Sequence, residues 1–397
     1  MLVKFCAGFI FTADSGFGLR AWIANNPKSC VAGVSFSESQ QVSPVIVPTA
    51  LAVTRSPHRD RIEVAVGFQN GSFGVYDLDT KMLRLRQRFV RTGSTNEAIT
   101  AVAYSAPYLL TASQHKVLSL YRIPSALEDS GEPDSRDEVR LLASLKADNI
   151  VAPMSLSIRV AQSEIIASIV YSFVHIGCGW SLGIQELRLG KDGQQIDSRL
   201  ATTVDSQYGI RPLQFIANAG TTHRSNSDHS TEGARWSTVS NEPSILHQEP
   251  PTSLSYCHPY LLASHPDNTL TMYLIVSTSG NLFVKGGQRL WGHTSSVATV
   301  QVSDRGKAVS VSSRGDEIRI WELEAVVSSP VVQRATRADG SIRVNPENAQ
   351  ASLDGTPLVS ADVSRQMRGC VGFDEERVLL LREKEMGTPF LECYDFI

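Results

Sequence analysis

Apolar and polar residues alternate along most of this chain in short runs, the two-residue period of half-buried strands, and no convincing amphipathic helix of ordinary length interrupts them. Gly, Pro, Asn and Asp punctuate the runs, as turns between strands require. Three runs share a closer pattern: residues 5–13 read FCAGFIFTA, 104–112 YSAPYLLTA and 256–264 YCHPYLLAS. Each holds an aromatic, a small residue, a two-residue break, a second aromatic and two bulky apolar residues. A further aromatic follows at one fixed distance, since Phe5 to Trp22, Tyr104 to Tyr121 and Tyr256 to Tyr273 are each 17 residues apart. The breaks at Ala7-Gly8, Ala106-Pro107 and His258-Pro259 predict turns between two strands, and the later aromatic predicts a third strand. The run after Met1 could pass for a short signal peptide. It is read as a strand, because the same pattern recurs twice far from the terminus.

Other segments repeat the later half of this unit. Val64 to Leu78 reads VAVGFQNGSFGVYDL, with Asn70-Gly71 suited to a tight hairpin turn. Ala308 to Leu323 reads strand, turn, strand, and the stretch from Val371 to Phe396 holds VLLL and FLECYDF around a glycine-containing loop. Residues 156–189 are more diverged, with strands expected at Ile165–Val170 and Leu182–Leu189. The chain thus divides into seven units starting near residues 3, 51, 98, 155, 252, 297 and 367. A lone small sheet is marginal, whereas seven stacked around an axis bury their faces and leave only short edges. The fold class expected is therefore all-β: a single seven-bladed β-propeller over residues 1–397. Seven blades of ~40–45 residues need roughly 300. The remainder is assigned to loop insertions at 125–140, 218–250 and 326–366, the first acidic and the second rich in Ser, Thr, Asn, His and Pro. The last unit ends on its third strand, while Met1 leads straight into the first. The ring is therefore expected to close incompletely at the N-terminus. The favoured reading is a truncated chain whose upstream residues supply the fourth strand; a three-stranded blade with an exposed edge is the alternative.

Charge and composition then exclude several roles. Lys plus Arg total 37 and Asp plus Glu 40, a net charge of −3, which argues against a nucleic-acid binder and a polybasic membrane-surface protein. No apolar run reaches the ~18 residues of a membrane-spanning helix. Six cysteines without close pairing fit neither a disulfide framework nor zinc-ligand spacing, and a reducing, intracellular compartment is the simplest setting. Cys6 and Cys257 occupy equivalent repeat positions and read as packed core residues. His223, His229 and His247 fall in the polar insertion and read as a solvated loop rather than a metal cluster. Phosphate loop, dinucleotide fingerprint and nucleophile elbow are all missing. No enzyme activity, cofactor or metal is expected, and function is assigned to the surface: a protein or peptide ligand on the propeller rim. The turn position seven residues before each repeat aromatic is Ser15, Gln69, Gln114, Pro266 or Arg314. Arg314, Gln114 and Gln69 are the candidate rim contacts. Arg314, the one charged member, suits an acidic or phosphorylated motif, with a solvated turn arginine as the alternative; without a repeated set of rim arginines at these five positions, a dedicated phosphodegron reader is not indicated.

Residues 291–323, WGHTSSVATVQVSDRGKAVSVSSRGDEIRIWEL, resemble one WD repeat, with Gly292-His293 and Trp321-Glu322 carrying the match. That resemblance implies a hydrogen-bonded clamp of His293, Ser313 and Trp321, although Gly315-Asp316 reverses the family's order at the turn acid. Tyr76-Asp77 and Tyr394-Asp395 echo the Trp-acid pair. The GHTSSV opening, the GKAVSVSSRGDEIRIWELE block and the closing VGFDEERVLLLRE segment are similar to the C-terminal propeller of fungal-type F-box proteins. The likeness implies the substrate-recognition half of an SCF-type ubiquitin-ligase receptor. Skp1 and cullin would be reached only through an F-box that these residues lack. The alternative is a WD-repeat scaffold of a trafficking, chromatin or RNA-processing assembly with no ligase link.

Overall fold

Short runs of β-branched and aromatic residues between tight turns fold here into seven antiparallel sheets, each ordered as the chain runs. The structure, a computed structural model, describes residues 1–24, 26–36, 46–56, 60–93, 97–124, 139–146, 150–161, 164–191, 193–207, 247–315, 317–324, 341–344, 366–373, 377–383 and 389–395.

Blade one holds β1 (Leu2–Cys6), β2 (Phe9–Asp14), β3 (Gly18–Ile23) and β4 (Asn26–Val34). Blade two holds β5 (Pro48–Arg55), β6 (Arg61–Phe68), β7 (Phe73–Asp79) and β8 (Arg84–Arg91). Blade three holds β9 (Ile99–Ser105), β10 (Tyr108–Ser113), β11 (Val117–Arg122) and β12 (Arg140–Lys146). Blade four holds β13 (Val151–Val160), β14 (Glu164–His175), β15 (Gly179–Gly190) and β16 (Gln195–Thr202). Blade five holds β17 (Ser253–Cys257), β18 (Tyr260–Ser264), β19 (Leu270–Ser277) and β20 (Leu282–Leu290). Blade six holds β21 (Val297–Val302), β22 (Lys307–Ser312), β23 (Ile318–Glu322) and β24 (Ser341–Val344). Blade seven holds β25 (Gln366–Phe373), β26 (Arg377–Glu383) and β27 (Pro389–Asp395).

A five-residue helix, α1 (Thr203–Gln207), follows β16. Among the described residues no helix is long and apolar enough to cross a membrane. Of the insertions expected from sequence, most positions lie outside the described residues. Ser341–Val344, inside the stretch 326–366 read as loop, forms the outer strand of blade six: four residues are too few to show an alternating pattern, and the pairing partner β23 decides their conformation.

The repeated aromatics occupy equivalent places. Phe5 pairs with Ile10 and Ile10 with Trp22. The same row recurs as Tyr104, Leu109 and Tyr121, and again as Tyr256, Leu261 and Tyr273. Two residues past the aromatic, a backbone N–H closes the first turn of blades one, three, five and six: Ala24 to Gly8 at 2.9 Å, Ile123 to Pro107 at 2.7 Å, Ile275 to Pro259 at 2.8 Å and Leu323 to Gly306 at 2.8 Å.

Core residues sit between blades. Phe11 and Leu19 pack on Val64 and Tyr76 between blades one and two. Phe73 and Tyr104 fill the next gap, and Tyr108, Leu120, Ile165 and Leu189 the one after. Ile184 meets Leu261 and Tyr273, Leu262 meets Val300 and Trp321, and Val311 meets Val378. Ile10 and Leu379 then join blade seven to blade one. First strands touch in order around the ring, with β25 against β1, so the described blades close it.

Gly372 lies at that closure, where an added Cβ would stand 2.9 Å from Phe5 Cβ. Gly372→Ala should lower stability by about 1–3 kcal/mol, the usual cost of overpacking. Urea denaturation reads this out, and an unchanged midpoint would mean that β25 and β1 are not in close contact.

Candidate interaction surface

In blades two, three, five and six the turn from second to third strand bonds to residues at or leading into a first strand, which gathers both at one end of the ring. Gln69 N–H donates to Val47 at 2.9 Å, Gln114 N–H to Ala98 at 2.8 Å and Ser313 N–H to Ser296 at 2.7 Å. Val297 N–H donates to His265 at 3.3 Å, tying blade six to the turn of blade five. The rim candidates Ser15, Gln69, Gln114 and Arg314 are exposed in these turns, while Pro266 is half-buried.

Below the rim, blade six is held by a buried polar chain. Trp321 Nε1 donates to Ser310 Oγ at 2.8 Å, and His293 Nε2 lies 2.6 Å from the same oxygen. His293 Nδ1 is 3.5 Å from Glu317, which accepts from the Thr294 N–H at 2.9 Å and from Arg319 at 2.8 Å. Burial alone would raise the Glu317 carboxyl, but the Thr294 amide and hydroxyl, Arg319 and His293 outweigh it and bring it down to about 2. The hydroxyl in this chain is therefore Ser310 rather than the expected Ser313. Side chains alternate along β22, so Ser310 points into the blade beside Trp321, whereas Ser313 is exposed in the turn beyond the strand. Asp316 lies outside the described residues. Blade one repeats part of the arrangement, with Trp22 Nε1 donating to Thr12 Oγ1 at 3.0 Å.

Blade five uses histidines. His247 and His265 stack with ring centroids 3.8 Å apart, and both Nε2 atoms reach Thr271 Oγ1, at 3.3 and 3.1 Å. Arg289 lies 3.4 Å from His247 Nδ1 and 3.4 Å from Asp267. Desolvation, then the neighbouring Arg289, brings His247 down to about 4; desolvation and His247 bring His265 to about 3. His247 is thus a buried packing residue and not part of a solvated loop: the polar sequence around it hid a ring that stacks on its partner. His223 and His229 lie outside the described residues. Among the described residues no group of three or more His, Cys, Asp or Glu is placed to hold a metal ion.

Three apolar tips stand on the rim. The blade-four hairpin is the longest, with two twelve-residue strands that continue past the Val151–Ser172 pairing through Phe173, Val174 and His175. Its turn is tight because Gly177 and Gly179 take φ of 95° and 65°, which glycine allows without strain. The hairpin lifts Ile176 to 97% exposure while Cys178 is buried beneath it. Trp291 is 62% exposed with the Arg289 guanidinium 5.5 Å from its ring, and Phe17 is 67% exposed with Arg20 at 4.2 Å. Sequence reading passed over these residues. Trp291 sat inside the repeat opening, and the glycines flanking Phe17 and around Ile176 were the available signals.

Ser310→Ala would leave two buried ring nitrogens without their shared partner and should cost about 1–3 kcal/mol in urea denaturation. Ser313→Ala, at an exposed turn, should change stability by less than ~0.5 kcal/mol. The reverse ranking would restore Ser313 to the clamp. The histidine pair makes stability acid-sensitive. Both folded values lie below the ordinary 6.5, so this contribution is full above pH 6.5 and is lost as the pH falls toward 4 and then 3. Paired urea titrations at pH 7 and pH 5 should show that loss in the native chain and a smaller one in His265→Phe.

Comparison with known proteins agrees with this architecture. The F-box protein pof12 of Schizosaccharomyces pombe is 30% identical over 96 residues, a match that spans 24% of this chain and 22% of that protein. The sequence pattern of the F-box protein pof12 beta-propeller family extends over residues 1–397, and the chain belongs to that family.

Proposed function

We propose that this propeller is the substrate-recognition part of an F-box ubiquitin-ligase receptor and that it engages its protein ligand on the rim carrying Phe17, Ile176 and Trp291. The coarser statement, a propeller protein-interaction module, follows from the family and the fold. The observation that carries the finer reading is the set of exposed large apolar side chains on one face of a rigid ring. Large exposed aromatics backed by arginines have the composition of binding hot spots. A site made of such tips takes an extended segment of another protein and performs no bond chemistry. The ligase link rests on the family alone, in which the propeller belongs to an F-box protein.

The test is affinity purification of the protein expressed at its own locus, native or carrying Ile176→Asp with Trp291→Ala. Recovery of Skp1 and cullin with both forms, with further bound proteins lost from the double variant, is the expected result. Coat, chromatin or RNA-processing subunits without Skp1 or cullin would remove the ligase reading. Full retention of every bound protein by the double variant would remove the rim.

A further inference from the structure

The two aromatic tips of the rim are the outer ends of side-chain stacks that begin inside the blades. In blade one the buried Thr12 hydroxyl accepts from Trp22 Nε1 at 3.0 Å and fixes the indole on β3. The Arg20 guanidinium lies 5.3 Å from that indole and 4.2 Å from the Phe17 ring, so one cation serves both rings. Asp14 sets both partners. One of its oxygens stands 3.3 Å from the guanidinium, and the other accepts the Gly16 and Phe17 N–H groups at 2.9 and 2.7 Å, shaping the turn that carries the ring.

Blade five reaches the same arrangement with different residues. The Thr271 hydroxyl is shared by the stacked His247 and His265, and Arg289, on β20, reaches back to His247 Nδ1 at 3.4 Å. Its guanidinium stands 5.5 Å from the Trp291 ring. Asp267 takes the part of Asp14: one oxygen is 3.4 Å from Arg289, and the other accepts the Thr269 N–H at 3.2 Å and hydroxyl at 2.6 Å within the turn. The arginine side chains are only 24% and 28% exposed, whereas Phe17 and Trp291 above them are 67% and 62% exposed. Each guanidinium is thus held at its edge by an acid and along its plane by a ring, a combination that lysine cannot reproduce.

We propose that Arg20 and Arg289 are positioning residues of the rim. Each holds one exposed ring by its inner face and presents the outer face before any ligand arrives. This role rests on the rim reading above and adds to it how the rings are held and what they meet. A ring that is already ordered loses little rotamer freedom when it is covered, so freeing both should weaken ligand binding about tenfold. The inner cation also selects. A ring bearing a positive charge on one face attracts a second one weakly, because the two like charges face each other across it. The ligand groups that stack on Phe17 and Trp291 are therefore uncharged: proline, aliphatic or aromatic side chains of an extended segment.

The first measurement needs no ligand. Time-resolved fluorescence anisotropy of Trp291, taken as the difference between the native chain and Trp291→Phe, is expected to decay with the tumbling of the whole ring. Arg289→Lys keeps the charge but not the plane and should add a fast local component on the nanosecond scale. An indole equally ordered in Arg289→Lys, or already loose in the native chain, overturns the role of Arg289. The second is comparative affinity purification of the native chain, of Arg20→Lys with Arg289→Lys, and of Ile176→Asp with Trp291→Ala, with thermal melting as the check on folding. The folded lysine pair should recover about tenfold less of the proteins that the apolar-tip variant loses. Unchanged recovery by the lysine pair, against loss from the apolar-tip variant, overturns the positioning role and leaves the rim standing; unchanged recovery by both removes the rim itself. In the third, p-benzoylphenylalanine in place of Phe17 is irradiated in the purified complex. Attachment to proline, aliphatic or aromatic residues of the bound protein is expected. Attachment to lysine or arginine overturns the uncharged class, and retention of the bound protein with no adduct takes Phe17 out of the contact.

Discussion

A small antiparallel sheet with two apolar faces cannot stand alone in water, and every other feature of this molecule depends on that constraint. Each blade buries one face on its predecessor and the other on its successor, so a row of blades ends in two unburied faces unless it closes. The contact of Ile10 with Leu379 and the approach of Gly372 to Phe5 provide that closure. Burial at ~25 cal/mol per Å² makes each gap a large favourable term, but the term is non-directional. Order and spacing of the blades come from polar groups set within the gaps. Glu186, fully buried in blade four, is held by Arg159 at 3.0 Å and by the Ser277 hydroxyl of blade five at 2.6 Å. Arg88 of blade two reaches Glu63 at 3.3 Å and the Pro124 carbonyl of blade three. Buried charges of this kind add little net stability. Removing one partner is strongly penalised, so they disfavour slipped or exchanged neighbours.

Within a blade the same economy applies to the polar clamp. Trp321 brings a large apolar body and a single N–H into the core, and the N–H must find an acceptor. Ser310 supplies it and at the same time engages His293, so one hydroxyl satisfies two rings. Blade five reaches a comparable end with different chemistry: the Thr271 hydroxyl is shared by two stacked imidazoles. The blades therefore share a backbone register without sharing a side-chain code, and for that reason the repeats are faint in sequence.

What could be read from the sequence follows from that division. The aromatic rows were legible because packing demands the same residue class at the same distance, and Trp22, Tyr121 and Tyr273 stand in matching places on their third strands. The turn positions Gln69, Gln114 and Arg314 were legible because a hairpin fixes its own tip. Ser310 was not, since Ser310 and Ser312 share a face of β22 and Ser313 follows at once, and only the approach of Trp321 and His293 picks out the first. His247 was hidden because burial there depends on a stack with His265, eighteen positions of chain away in a different turn. Ile176 and Trp291 were missed for the opposite reason. Exposed apolar residues carry no periodic signature, and only the closed ring reveals that they stand on the same face.

The excursion between Gln207 and His247 shows how such a ring accepts additions without losing closure. Its two ends are anchored two residues apart on β15. The Thr203 hydroxyl accepts the Leu182 N–H at 3.0 Å on one side, and the His247 carbonyl accepts the Trp180 N–H at 2.8 Å on the other. Loop-closure entropy rises only with the logarithm of length, so once both ends are fixed on one strand, the number of residues between them matters little to the blades. Both anchors lie beside the base of the hairpin that raises Ile176. An insertion at this place is therefore attached at both ends to the strand that already supports the rim.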